Sequence, residues 1–198
     1  QSLRYVNPKE EQIERPERNA QENWIRGFFD DFGTALNGPN YDDPELGYAR
    51  YVDVDAAVDH HLLNVISFNV DALRLSGYMS VPRGGKLTFG PIWDFDQTYG
   101  VSFVCGGTEF IGWNYDQSHP NCEDFESMPF WWTKLMDDPI FQNHVKCRWE
   151  EHRAGFLHKD SINAWIDQQM AVIDQAKDRN YIRWPILGTQ VWDQADPI

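Results

Sequence analysis

The sequence predicts an α+β fold, mainly helical with one small antiparallel β-hairpin, and three observations carry that reading. Apolar residues recur at three- and four-residue intervals in several long runs, the pattern of helices with one buried face. A Pro82-Arg-Gly-Gly85 turn separates two short segments of strand character. With 41% apolar residues, nine Trp and twelve Phe, the 198-residue chain can fill the core of a large domain.

Taken in order, residues 1–18 are polar, carry Pro8 and Pro16 and show no apolar period, so they are expected to form an extended arm or linker. Leu3, Tyr5 and Val6 are its expected contacts. The helical domain then runs over residues 19–198. Asn19 with Glu22 has the spacing of a capping box, and Trp24, Phe28 and Phe32 beside Ile25, Phe29 and Leu36 continue at helical spacing until Asn37-Gly38. After a turn-rich stretch, Asp53 or Asp55 is expected to cap a second helix with Val58, Leu62 and Ile66 on one face. That helix delivers the chain to Asn69-Val-Asp71. Residues 77–81 and 86–89 form the predicted hairpin, followed at once by Pro91-Ile-Trp-Asp-Phe-Asp96. Trp131 to Met136 opens another helical region, Asp138-Pro139 supplies an N-cap and a first-turn proline, and Phe141, Val145, Trp149 and Phe156 make one stripe. A last long helix starts at Asp160 or Ser161 with Ile162, Ile166 and Ile173 expected inward, and Trp184-Pro185 and Trp192 close the chain.

A formal net charge of −14 argues against a basic face for a polyanion, so nucleic acid is excluded as a partner. The acidity fits solubility and leaves cation binding open. No run of about 18 apolar residues is present, which disfavours a membrane span. The chain opens at Gln1 without a leader-like segment, and the expectation is a piece of a longer precursor. Three cysteines, at 105, 122 and 147, lack zinc-site spacing. Cys105 and Cys122 flank a loop rich in Gly, Asn and Asp, and a disulfide between them would favour an oxidising compartment. His60 and His61 are neighbours on a helix and diverge by about 100°, so one metal cannot take both. Packing or surface roles are expected for them. His119, His144, His152 and His158 show no ligand spacing either, and Trp131-Trp132, Trp184 and Trp192 are read as core rather than as a sugar-stacking platform.

The chemistry lies in the acids around the hairpin. Phosphoryl transfer needs a carboxylate to orient or deprotonate the acceptor hydroxyl, and oxygen ligands that hold a divalent cation against the nucleotide phosphates. In protein kinases the catalytic Asp is followed five positions later by an Asn ligand, then a hairpin, then a metal-binding Asp. Asp71, Ser76, the hairpin and Asp94 stand here in that order. If Asp94-Phe-Asp96 continues an apolar strand, both carboxylates point to one side and can meet one cation.

Five segments together resemble the CotH kinase family. They are Tyr51-Val-Asp-Val-Asp55, Asn69-Val-Asp71 with Arg74-Leu-Ser76, Lys86 through Asp96, Trp132 to Phe141, and Arg179-Asn-Tyr-Ile-Arg-Trp-Pro185. The Gly-Pro-x-Trp-Asp-Phe-Asp element behind an Asn-x-Asp is the most specific of them. The resemblance implies an atypical protein-kinase-like fold, with this chain as a C-terminal lobe. It also implies phosphate transfer from ATP, with Mg²⁺ or Mn²⁺, to a hydroxyl of a protein substrate, in a secreted or cell-surface setting. By motif, Asp71 would be the catalytic residue, Asp94, Asp96 and Ser76 the metal ligands, and Asn69 a cofactor-binding support. Ser76 stands where ordinary kinases carry Asn, and Asp96, ahead of Thr98-Tyr99-Gly100, takes the position after the Asp-Phe pair where they carry Gly. No Gly-rich phosphate loop and no strand Lys with a helical Glu precede Asp71, so a missing N-terminal lobe, or other domains of the same chain, are expected partners. Two alternatives accompany this reading. One is an inactive kinase-like adhesion or structural module of a larger surface protein. The other is a metal-dependent glycosyltransferase using Asp94-Phe-Asp96 as its D-x-D element.

Overall fold

The structure is a computed structural model that describes residues 3–71, 75–108 and 130–191. Among these residues it is mainly helical, with six helices and one two-stranded antiparallel sheet. The helices are α1 (Glu10–Ile13), α2 (Asn19–Asn37), α3 (Val54–Ile66), α4 (Phe130–Asp137), α5 (Pro139–Ala154) and α6 (Lys159–Arg183). The strands are β1 (Met79–Ser80) and β2 (Thr88–Phe89), with Met79 opposite Phe89 and Ser80 opposite Thr88.

The amino-terminal stretch is not extended throughout. It contains α1 and a 3₁₀ turn over Pro16–Arg18, and its anchor is the fully buried Ile13, whereas Leu3 and Val6 are exposed. The same turn removes the expected capping box. It runs into α2 and holds Asn19 at helical dihedrals (φ −52°, ψ −38°), a backbone that an N-capping residue does not adopt. Glu22, released from capping, pairs instead with Arg26 at 2.7 Å. The apolar face of α2 follows the spacing from Phe28 onward, with Phe32 and Leu36 buried, whereas Trp24 is exposed, and the helix ends at Asn37 before Gly38.

Helix α3 is central to the fold. Asp53 caps it, its side chain accepting from the Ala56 amide at 3.1 Å, and Ala57, Val58, His61 and Leu62 are buried. One side meets α5 and another meets the hairpin. Leu87 carries the second contact: its amide donates to the Tyr51 carbonyl at 2.7 Å and its carbonyl accepts from the Asp53 amide at 2.9 Å, a parallel bridge between Val52 and Leu87. Apolar burial and backbone pairing thus fix the hairpin to the start of α3. The turn between the strands closes with the Gly85 amide on the Pro82 carbonyl at 2.9 Å, and its third residue, Gly84, lies at φ 70°, where a side chain would be strained.

Aromatic packing joins the layers. His60 stacks on Trp132 (centroids 5.8 Å apart, planes 11° apart), His61 packs against Trp132 and Phe141, and Phe89 lies 5.0 Å from Trp132. The two histidines therefore serve helix packing. Burial lowers the ring pKa of each to about 4. On the outer side of the α3–α5 contact, Asp59 receives both arms of Arg148 (2.7 and 3.0 Å) and lies 3.1 Å from His152 Nε2. The hydrogen bonds from Arg148 hold the Asp59 carboxyl below its usual pKa.

Asp138 caps α5 ahead of Pro139, as the sequence predicts. One oxygen accepts from the Ile140 amide at 2.8 Å and the other from the buried Tyr48 hydroxyl at 2.5 Å. Phe141, Val145 and Trp149 follow on the core face, but Phe156 falls beyond the end of α5 and is 64% exposed. Helix α6 departs further from expectation. It starts at Lys159 under a cap from the His158 side chain, and none of its residues is buried. Ile166 and Ile173, expected inward, are 45% and 47% exposed, because no other element of the described chain covers that face.

Two measurements test this core. Replacing Tyr48 with Phe removes the hydroxyl from a buried carboxyl group and should cost about 2 kcal/mol in denaturant unfolding. The histidines set a pH dependence. Their folded pKa lies near 4 and the unfolded value is 6.5, so the unfolded chain binds protons first on acidification. Stability should therefore fall as pH drops from 6.5 toward 4, while loss through Asp59 belongs below its ordinary 3.8. A denaturation midpoint constant from pH 7 to pH 5 would contradict neutral burial of His60 and His61.

Candidate functional site

The predicted site residues sit where α3 ends and where the hairpin releases the chain. At the end of α3 the Ser67 amide donates to the Leu63 carbonyl at 3.1 Å, and Phe68 then turns to φ 47°. Asn69 folds back on the helix. Its amide donates to the Asn64 carbonyl at 3.1 Å and its Nδ2 to Asn64 Oδ1 at 3.4 Å, while its Oδ1 accepts from the Asp71 amide at 3.1 Å. Asn69 is 2% exposed, so its carboxamide shapes the Asp71 backbone from inside. Asp71 itself is half-buried, and its carbonyl accepts from the Leu75 amide at 2.8 Å.

Ser76 and Asp94, 18 residues apart in sequence, are brought together across the hairpin: Ser76 Oγ donates to Asp94 Oδ2 at 3.1 Å. Both have left-handed backbones, φ 49° and 63°. This geometry departs from the expected strand. Regular pairing ends at Phe89, and the positive φ at Asp94 breaks the alternation that would have put Asp94 and Asp96 on one side. Asp94 and Asp96 are both exposed. Among the described residues no group of three His, Cys, Asp or Glu side chains converges as a metal-binding cluster.

The chain beyond Asp96 is tied back to α3. Thr98 Oγ1 donates to the Phe95 carbonyl at 2.7 Å, and the Tyr99 amide donates to the Ser67 carbonyl at 2.7 Å. Gly107 closes the arrangement, since a Cβ there would stand 2.9 Å from Val70 Cγ1 and 2.5 Å from the Ser102 carbonyl oxygen. Cys105 is disulfide-bonded and Cys147 is a free, exposed thiol. Cys122, the expected partner of Cys105, lies outside the described residues, as do Arg74, most of the loop before Cys122, and Trp192.

Two features of the site escape a reading of the sequence. One is the role of Asn64 and Ser67, two polar residues at the end of α3 that carry no pattern of their own. The other is exposed apolar surface on both sides of Asp94: Ile92, Trp93, Tyr99 and Phe103 are each more than half exposed, and Trp93 meets Tyr78 edge-on at 6.3 Å.

Five non-glycine residues with positive φ occur among the described residues, at Phe68, Ser76, Asp94, Tyr99 and Cys105, all within or beside this site. Such backbones cost about 1 kcal/mol or more each and persist where the surroundings impose them. A model of the family described as CotH kinase protein matches residues 2–198. No curated protein and no solved structure matches the chain.

Tyr99 offers a clean test of stored strain, because its side chain is 67% exposed and its φ is 54°. Tyr99→Gly should raise stability by about 1 kcal/mol in denaturant unfolding. Unchanged or lower stability would show that the left-handed turn is not strained.

Proposed function

The chain belongs to the CotH kinase protein family, and from that premise we propose that it carries the acceptor-orienting and cation-binding acids of an ATP-dependent protein phosphotransferase. Kinase membership implies use of ATP. The observation that carries the finer reading is the Ser76–Asp94 hydrogen bond, which joins two oxygen donors from opposite ends of the hairpin beside the Asp71 turn.

In this reading Asp71 orients a hydroxyl of the acceptor protein and takes its proton as the oxygen attacks. A bond forms between that oxygen and the γ-phosphorus, and the bond from the γ-phosphorus to ADP breaks. Asp94, Asp96 and Ser76 are hard oxygen donors and fit Mg²⁺ or Mn²⁺; Asp94 and Asp96 are exposed, as ligands shared with a nucleotide must be. Bound there, the cation would offset the charge of the phosphates. Asn69 supports Asp71 from beneath. The Cys105 disulfide supports a secreted or cell-surface setting, since such bonds persist in oxidising compartments.

A second reading, a binding module within a larger surface protein, draws on a different observation. Trp165, Val172, Ile182 and Trp184 are each more than half exposed on or beside α6, an apolar surface fitted to contact with the N-terminal lobe or another domain. The two readings make opposite predictions for Asp94.

Asn tolerates positive φ about as well as Asp, so Asp94→Asn should fold normally while losing its charge. Calorimetric titration with Mn²⁺-ATP should show affinity at least about tenfold weaker than in the wild type. Equal affinity in both proteins would remove Asp94 from the cation site, and binding by neither would favour the module reading.

A further inference from the structure

We propose that Asn64 is a positioning residue for Asp71, acting through Asn69 from the last turn of α3. The proposal rests on the reading of Asp71 as the acceptor-orienting carboxylate. Asn64 is 2% exposed, among the buried α3 residues Ala57, Val58, His61 and Leu62. A carboxamide there is costly to bury unless its hydrogen bonds are made, and those of Asn64 run back to His60 and forward to Asn69. Asn64 Nδ2 donates to the His60 carbonyl at 2.8 Å, which fixes the side chain against its own helix. Its Oδ1 then faces out of the helix end and accepts from Asn69 Nδ2 at 3.4 Å. Asn69 in turn passes the constraint to the Asp71 amide through Oδ1 at 3.1 Å.

The backbone of Asn64 repeats the connection. Its carbonyl accepts from the Asn69 amide at 3.1 Å and from Ser67 Oγ at 3.3 Å, and the Ser67 carbonyl accepts from the Tyr99 amide at 2.7 Å. One residue therefore lies at the root of both arms of the site, the turn that bears Asp71 and the loop that leaves Asp96. Only the Asp71 arm passes through the Asn64 side chain. Substitution should consequently disturb Asp71 while leaving the nucleotide and cation side in place.

The test separates this claim from the kinase reading by measuring geometry and activity independently. Asn64→Leu keeps the approximate volume and cannot hydrogen-bond; Asn64→Asp keeps an oxygen for Asn69 to donate to. In Asn64→Leu, amide hydrogen exchange at Asp71 should quicken about fivefold, the equivalent of one ordinary hydrogen bond, with exchange at Leu62 and Phe141 unchanged. In Asn64→Asp it should stay near the wild-type rate. Phosphate transfer from Mn²⁺-ATP to a dephosphorylated serine-rich protein should show lowered kcat at unchanged KM for ATP in the leucine variant, and recovery in the aspartate variant. Should the leucine variant fail to fold, Asn64→Ala makes the same comparison without a branched side chain. Unchanged exchange at Asp71 in a folded variant overturns the proposal, and so does faster exchange with full kcat. If the wild type transfers no phosphate, exchange at Asp71 alone decides whether Asn64 holds that turn, and the kinase reading is judged by the Asp94→Asn titration instead.

Discussion

The carbonyl groups at the end of α3 are the constraint on which the site depends. A helix leaves its last carbonyls without partners inside the helix, and burial makes it costly to leave them so. Here Leu63 and Asn64 receive the amides of Ser67 and Asn69, and the Ser67 carbonyl just beyond receives the Tyr99 amide. Satisfying these few groups draws two segments some thirty residues apart in sequence onto one helix end. The turn that bears Asp71 and the loop that follows Asp96 thus share one helix end, before any ligand is considered.

That helix end is positioned because α3 is held on two sides. Its buried face meets α5 through Phe141, and its start is sewn to the hairpin by the paired bonds of Leu87. Asp59 with Arg148 and His152 adds a polar clasp on the outer side, worth little on its own because both Asp59 and Arg148 are more than a third exposed. Packing therefore sets the position of the helix, and the hairpin it carries sets the path from Ser76 to Asp94.

The elements were legible in the sequence wherever a local pattern and the tertiary environment agreed. The apolar face of α2, the Asp53 and Asp138 caps, the hairpin and its glycine turn all follow from spacing and side-chain chemistry alone. Patterns that another local structure could override were misleading. A preceding 3₁₀ turn cancels the Asn19 box, and an apolar stripe on α6 gives no information on whether anything covers it. For the candidate site, motif order singled out Asp71, Ser76 and Asp94, and the Ser76–Asp94 contact follows that order. Strand alternation did not extend to Asp96, since a single left-handed residue resets the side to which everything after it points. The contribution of Asn64 was hidden for a simpler reason: a polar residue inside a helix has no periodicity of its own, and only the folded neighbours reveal which way its amide turns.

The bare face of α6 bears on how this family can vary. Substitutions along α3 are restrained by folding itself, because its inward residues have no room to change. Along α6 folding exerts almost no such restraint, since none of its residues is buried. Drift should therefore erode the apolar character of Ile162, Ile166, Met170 and Ile173 toward ordinary solvated residues. Where relatives retain it, the cause has to be selection for a contact outside the described residues, which makes the variability of one helix face a record of what that face meets.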